Sequence, residues 1–211
     1  INYGVGVFGC SITYGVGMPE ASIFTELMQK ELGTPVHNFG IPGSSIQKLA
    51  KAFISINNFY KLKKAIFVLP SLQRFEYIGQ EVHSNKSVIY NESYIPSFKP
   101  KNPSRAAVYD SVYRNFDELH FYNKFIESTT LIIQNAAINK TDISIFTWDP
   151  RLKELCVNYN FNLLEDSPLI HLLENDDVHL GKLVNDFARD GAHPGYRTHY
   201  DISKKILDNV F

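Results

Sequence analysis

Cysteine is scarce in this chain: Cys10 and Cys156 are the only two in 211 residues. They form no C-x-x-C pair and no disulfide framework, so both read as reduced thiols. No apolar run approaches the roughly 20 residues that a membrane-spanning helix needs. The opening residues lack the charged region and apolar stretch of a signal peptide. The chain begins at Ile1 rather than Met, so the compartment stays open, with the cytoplasm as the default. Neither sign of charge dominates. The 21 Lys and Arg face 22 Asp and Glu, a formal net charge of −1, which argues against a nucleic-acid binder. The densest basic run, Lys61 to Lys64, reads as a solvated helix end with cations near the C-terminal dipole. His37, His83, His120, His171, His179 and His199 show no H-x-x-x-H or H-E-x-x-H spacing, so neither a metal nor another cofactor is expected.

What is present is ordinary for a globular chain: 44% hydrophobic and 20% charged residues, enough to bury a core without staples. The length suits one domain over residues 1–211. Short apolar runs at Val5–Phe8, Pro35–Phe39, Ala65–Leu69 and Ile143–Trp148 read as buried strands. Helical spacing covers Ala21–Leu32, with Gly33 as its C-cap, and Ile46–Phe59. Further helices are expected over Ser111–Asn139, Leu180–Ala188 and Tyr196–Val210. Asp149-Pro150 reads as a helix start, with Asp at the N-cap and Pro at N1. Residues 73–105, rich in Tyr, Asn, Ser and Pro, have no sustained period and read as an irregular insertion, lid or binding loop. Trp148 and the tyrosines of 77–94 either line a sugar or acyl site or pack on their own domain. Strands alternating with helices predict an α/β fold with a parallel sheet.

The stretch from Tyr3 to Gly17, YGVGVFGCSITYGVG, admits three readings. Gly4, Gly6 and Gly9 spell G-x-G-x-x-G, but a dinucleotide fingerprint needs its strand before the first glycine and a helix opening at the third. Here the strand lies between the glycines, and the SITYGVGMP that follows is too rich in Gly and Pro to be that helix. There is no G-K-[ST] either. The other readings place a nucleophile, Cys10 or Ser11, at the carboxyl end of the first strand, where open α/β sheets bind ligands. Neighbouring residues leaving a strand point in opposite directions, so the two do not share the role. Cys10 reads as a small buried residue, and Ser11 is preferred. A serine nucleophile needs a histidine base and an orienting carboxylate. The phrase Asp190-Gly-Ala-His193-Pro-Gly supplies both, three apart, in a loop shaped by Gly191, Pro194 and Gly195.

These residues resemble the SGNH/GDSL hydrolases. GCSITYG at Gly9–Gly15 is similar to that family's first block, with Cys10 where the family usually has Asp. NFGIPGSS at Asn38–Ser45 is similar to the second block, and DGAHPG at Asp190–Gly195 to the final D-x-x-H block. The resemblance implies a three-layer α/β/α sandwich with a flavodoxin-like parallel sheet. It further implies Ser11 as nucleophile, His193 as general base and Asp190 as its orienter. The N–H groups of Ser11 and Gly43 would be oxyanion donors. The family's third block, G-x-N-D, corresponds to PSLQRFE at Pro70–Glu76. One alignment puts Gln73 in the asparagine slot, and a one-residue slip puts Leu72 there. Arg74 either binds an anionic or polar part of a substrate or forms a surface ion pair with Glu76 or a neighbour. The implied activity is cleavage of carboxylic esters, acyl or O-acetyl and including glycan esters, without a cofactor. The alternatives are an acyltransferase with the same triad, or a non-catalytic glycan- or partner-binding protein on a degenerate scaffold. The oligomeric state is not legible.

Overall fold

A computed structural model describes residues 4–83, 86–94, 99–115, 118–147, 152, 170–172 and 186–211. Its strands are β1 (Val5–Gly9), β2 (Val36–Gly40), β3 (Lys64–Val68), β4 (Phe75–His83), β5 (Lys86–Tyr94), β6 (Asp142–Thr147) and β7 (Ile170–Leu172). The helices are α1 (Ser11–Tyr14), α2 (Phe24–Leu32), α3 (Ile46–Tyr60), α4 (Pro103–Asn115), α5 (Glu118–Asn139) and α6 (Tyr196–Val210). Five strands form one sheet in the order β2-β1-β3-β6-β7, and every neighbouring pair is parallel. This is the flavodoxin-like order, in which a switch of direction beside the first strand opens a crevice at the carboxyl edge.

Side chains alternate across the strands and fill two separate cores, because successive residues of a strand point to opposite faces. Phe8, Phe67 and Ile145 pack with Ile46, Ala50 and Phe53 of α3 and with Phe125, Ile132 and Ala136 of α5. Val7, Ile66, Val68 and Phe146 pack with Phe24 and Met28 of α2 and with Ile202, Ile206 and Leu207 of α6. The three layers follow from this division. Phe8 is the centre of the first core, stacked between Phe39 at 5.0 Å and Phe67 at 5.2 Å with Phe53 edge-on at 5.4 Å. Truncating a buried Phe in such a cluster costs about 3–5 kcal/mol. Lys61 ends α3 at φ 54° and its Nζ reaches Asn139, so the solvated helix end holds for Lys61, whereas Leu62 is buried and Lys64 opens β3 and pairs with Asp142.

Three expectations need correction. The 73–105 segment is not irregular throughout: β4 and β5 form an antiparallel hairpin, with Phe75 opposite Tyr94 and His83 opposite Lys86. Its alternation was obscured by exposed Ile78 on the outer face, while Phe75, Tyr77 and Tyr94 turn into the first core. The helical stretch that follows the hairpin begins with α4 at Pro103, not at Ser111. Asn102 is its cap, its Oδ1 accepting from the N–H groups of Ser104 at 3.0 Å and Arg105 at 3.2 Å, an Asn-Pro start legible in hindsight. Of the helix expected over 180–188, the described residues are not helical, since Phe187 is bridged to Pro194. Trp148, Asp149 and Pro150 lie outside the described residues. No helix among the described residues is long and apolar enough to cross a membrane.

The α2–α6 contact contains a buried histidine. His199 stacks on Phe24 at 5.9 Å between ring centroids, and its Nδ1 accepts the Phe24 N–H at 3.3 Å. Burial lowers its pKa from 6.5 to about 4, outweighing the opposing pull of Asp186. The folded state therefore keeps the ring neutral where the unfolded chain protonates it. Stability should be fully present above pH 6.5 and fall as pH drops toward 4, by about 3 kcal/mol in total from this group. Urea unfolding at pH 7.5 and 4.5 measures the loss. His199→Asn, which keeps an acceptor near the Nδ1 position, is expected to show a smaller one.

Candidate active site

The carboxyl end of β1 carries Cys10 and Ser11 into α1, a single helical turn that Gly15 stops at φ 84°. Cys10 is 1% exposed and packs in the second core, an environment for an inert thiol. Ser11 opens the turn and is 9% exposed. No side chain caps this turn.

The loop after β2 is pressed against that turn. The Ile41 N–H donates to the Gly9 carbonyl at 2.9 Å, and the Ser44 hydroxyl donates to the same carbonyl at 3.3 Å. A Cβ on Gly40 would lie 2.7 Å from Tyr14 Cα and 2.8 Å from the Thr13 carbonyl carbon, backbone that cannot yield. Asn38 joins the two segments. Its Nδ2 donates to the Thr13 carbonyl at 2.6 Å and to Thr25 Oγ1 at 3.1 Å, and its Oδ1 accepts the Gly40 N–H at 2.9 Å. Gly43 has φ 74°, and the Ser44 N–H donates to the Ile41 carbonyl across the turn at 3.0 Å.

At the far end of the chain, Asp190 and His193 meet directly. His193 Nδ1 and Asp190 Oδ2 are 2.5 Å apart, while Asp190 Oδ1 accepts the N–H groups of Ala192 at 3.1 Å and His193 at 3.0 Å. These backbone donors come first, and the His193 ring adds to them, in pulling the Asp190 pKa down to about 2. The carboxylate therefore persists through the whole acid range in which histidine titrates. With Nδ1 donating to it, the neutral ring bears its lone pair on Nε2.

Two further contacts fix where this pair sits. Ala188 N–H donates to the His193 carbonyl at 2.8 Å, and Gly195 N–H to the Asp186 carbonyl at 2.7 Å, closing the loop. Asp186 Oδ2 accepts the Thr198 N–H at 2.8 Å and so caps α6 from outside the helix. The loop then rests on the segment leaving α1. Arg189 N–H donates to the Gly17 carbonyl at 3.1 Å, and Val16 N–H to the Ser11 carbonyl at 3.0 Å. A Cβ on Gly17 would stand 3.1 Å from the Asp190 carboxyl carbon.

The third segment follows β3. Leu72 is buried in the first core, which removes it from any slot facing the crevice. Gln73 is half-buried, and its carbonyl accepts the Tyr113 hydroxyl at 2.9 Å. Arg74 does not pair with Glu76. That carboxylate takes Lys51 Nζ at 2.5 Å, whereas Arg74 Nε and Nη1 are buried without a hydrogen-bond partner. Sequence reading missed the positioning work of Asn38 and Asp186. Asn38 stood within a quoted motif, but an amide that bonds a carbonyl 25 residues earlier leaves no local trace.

Solved structures share this architecture across their whole length. A member of the lipolytic protein G-D-S-L family from Veillonella parvula is 15% identical over 99% of this chain and 97% of its own, with a TM-score of 0.56. The acetyl xylan esterase AlAXEase is 13% identical over 99% and 100%, with a TM-score of 0.58. The psychrotrophic esterase EstA from Pseudoalteromonas is 11% identical over 98% and 96%, with a TM-score of 0.56. The chain has the SGNH-hydrolase fold. No protein-family model and no curated protein sequence matches it.

Replacing Asp186 by Ala removes the acceptor that caps α6. The expected loss is about 1 kcal/mol, read as a lower urea midpoint with an unchanged slope.

Proposed function

We propose that the chain is a serine hydrolase that cleaves carboxylic esters through an acyl-enzyme. The observation that carries this reading is the Asp190–His193 pair, preformed at 2.5 Å and docked on the segment that leaves the Ser11 turn. In this reading His193 Nε2 takes the Ser11 hydroxyl proton as Oγ attacks the ester carbonyl. The N–H groups of Ser11 and Gly43 receive the developing oxyanion, with the Gln73 amide as a third donor. Deleting one such donor in a comparable site costs about 3–4 kcal/mol. His193 then returns the proton to the departing alcohol, and water repeats the sequence to release the acid and restore Ser11. Asp190 stays ionised throughout and stabilises the transient imidazolium.

The substrates in this reading are acyl and O-acetyl esters, including those on carbohydrate. The esterase and the acetyl xylan esterase among the structural neighbours support that breadth.

Intact-mass analysis after incubation with a fluorophosphonate tests the mechanism. Wild type is expected to gain a single adduct that Ser11→Ala lacks, and Ser11→Ala is expected to lose ester turnover by at least about 10³-fold. An adduct surviving in Ser11→Ala would show that another residue is the nucleophile. Folded wild type that takes no adduct would favour the non-catalytic binding protein.

A further inference from the structure

The turn that follows β3 is held by its backbone. Leu72 and Phe75 sit in the first core, one on each side of Gln73 and Arg74. The Arg74 N–H donates to the Ser71 carbonyl at 3.1 Å, which closes a β-turn with Gln73 at its third position. The carbonyl of that same peptide group, which belongs to Gln73, accepts the Tyr113 hydroxyl at 2.9 Å. One peptide plane is thus fixed at both ends, by the turn on one side and by a side chain of α4 on the other. Just downstream, the Glu76 N–H donates to Gln47 Oε1 of α3 at 3.1 Å.

All of these contacts engage backbone atoms of the turn, and none takes the Gln73 side-chain amide. Tyr113 is itself held firmly. Its ring packs against Tyr109 at 4.6 Å, Phe121 at 6.0 Å and Phe75 at 6.5 Å between centroids. Burial first, and then the neighbouring Tyr109, push its pKa upward against the pull of Arg74, so the phenol keeps its proton and remains a donor. The turn also lies on the crevice side of the sheet. β3 pairs with β1 through Val68 and Gly9, so the turn bearing Gln73 and the turn bearing Ser11 leave adjacent strand ends.

We propose that Tyr113 is a positioning residue for the Ser11 site: by holding the Gln73 carbonyl, it sets the direction in which the Gln73 amide meets the oxyanion. Tyr113 touches no reacting atom itself. A residue whose peptide plane is fixed presents its Cβ in one direction, so its side chain needs less ordering when charge develops. The inference rests on the esterase reading above, in which Gln73 is the third oxyanion donor. It extends the support of the site to α4, forty residues further along the chain.

Tyr113→Phe deletes one hydroxyl and keeps the ring packing. The test compares kcat and KM for p-nitrophenyl acetate in wild type, Tyr113→Phe, Gln73→Ala and the double variant, all in the full chain. Gln73→Ala is expected to lower kcat by about 10²- to 10³-fold. Tyr113→Phe should lower kcat by about 3- to 10-fold with KM unchanged. The double variant should fall no further than Gln73→Ala alone, because the hydroxyl acts through Gln73. A hydroxyl with a merely structural role would lower the urea midpoint of Tyr113→Phe and leave kcat where it was, which would overturn the proposal. An equal loss of kcat in both backgrounds would overturn it too, since Tyr113 would then act without Gln73. So would a Gln73→Ala variant that turns over at the wild-type rate. Wild type that neither turns over the ester nor takes the fluorophosphonate adduct would sink the hydrolase reading, and this inference with it.

Discussion

The whole site depends on β1 being buried on both faces. Val7 faces one core and Phe8 the other, so the strand cannot slip by one residue without exchanging them. That fixed register determines where the chain emerges at Gly9, and hence where Ser11 stands. β2 and β3 flank β1 in parallel, each aligned residue for residue with it. Their exits therefore deliver the Gly43 loop and the Gln73–Arg74 turn to the same edge.

Rigid strand ends alone would leave the loops loose, and polar contacts do the remaining positioning. Asn38 uses both ends of its amide to hold the second loop against the Ser11 turn. Asp186 does comparable work at the other end of the chain, where the capped start of α6 anchors the loop bearing Asp190 and His193. These are ordinary hydrogen bonds, individually worth about 1 kcal/mol. Their importance lies in the direction they impose.

Two histidines six residues apart show how environment divides chemistry. His193 is partly open to solvent and its Nδ1 faces the Asp190 carboxylate. His199 is buried and takes a backbone N–H on its Nδ1, which forbids a proton there. A motif search sees two identical residue types here. Only the packing of α6 against α2 makes His199 a structural acceptor.

The parallel α/β class, β1 and its glycine exit, the capping of α2 at Gly33 and the span of α6 are all readable from the amino-acid order alone. Each of these rests on local propensity or on apolar periodicity, which the chain carries wherever it is placed. Asp190 and His193 were legible for the same reason, being three residues apart. The β4–β5 hairpin was not, because one strand face mixes exposed Ile78 with polar residues and the pairing is set by the partner strand. Nor was the isolation of Arg74, or the removal of Leu72 into the core, since both depend on which side chains other elements bring. Tertiary structure decided these points because burial and hydrogen-bond partnership across the fold are properties of pairs distant in sequence, and no short stretch contains both members.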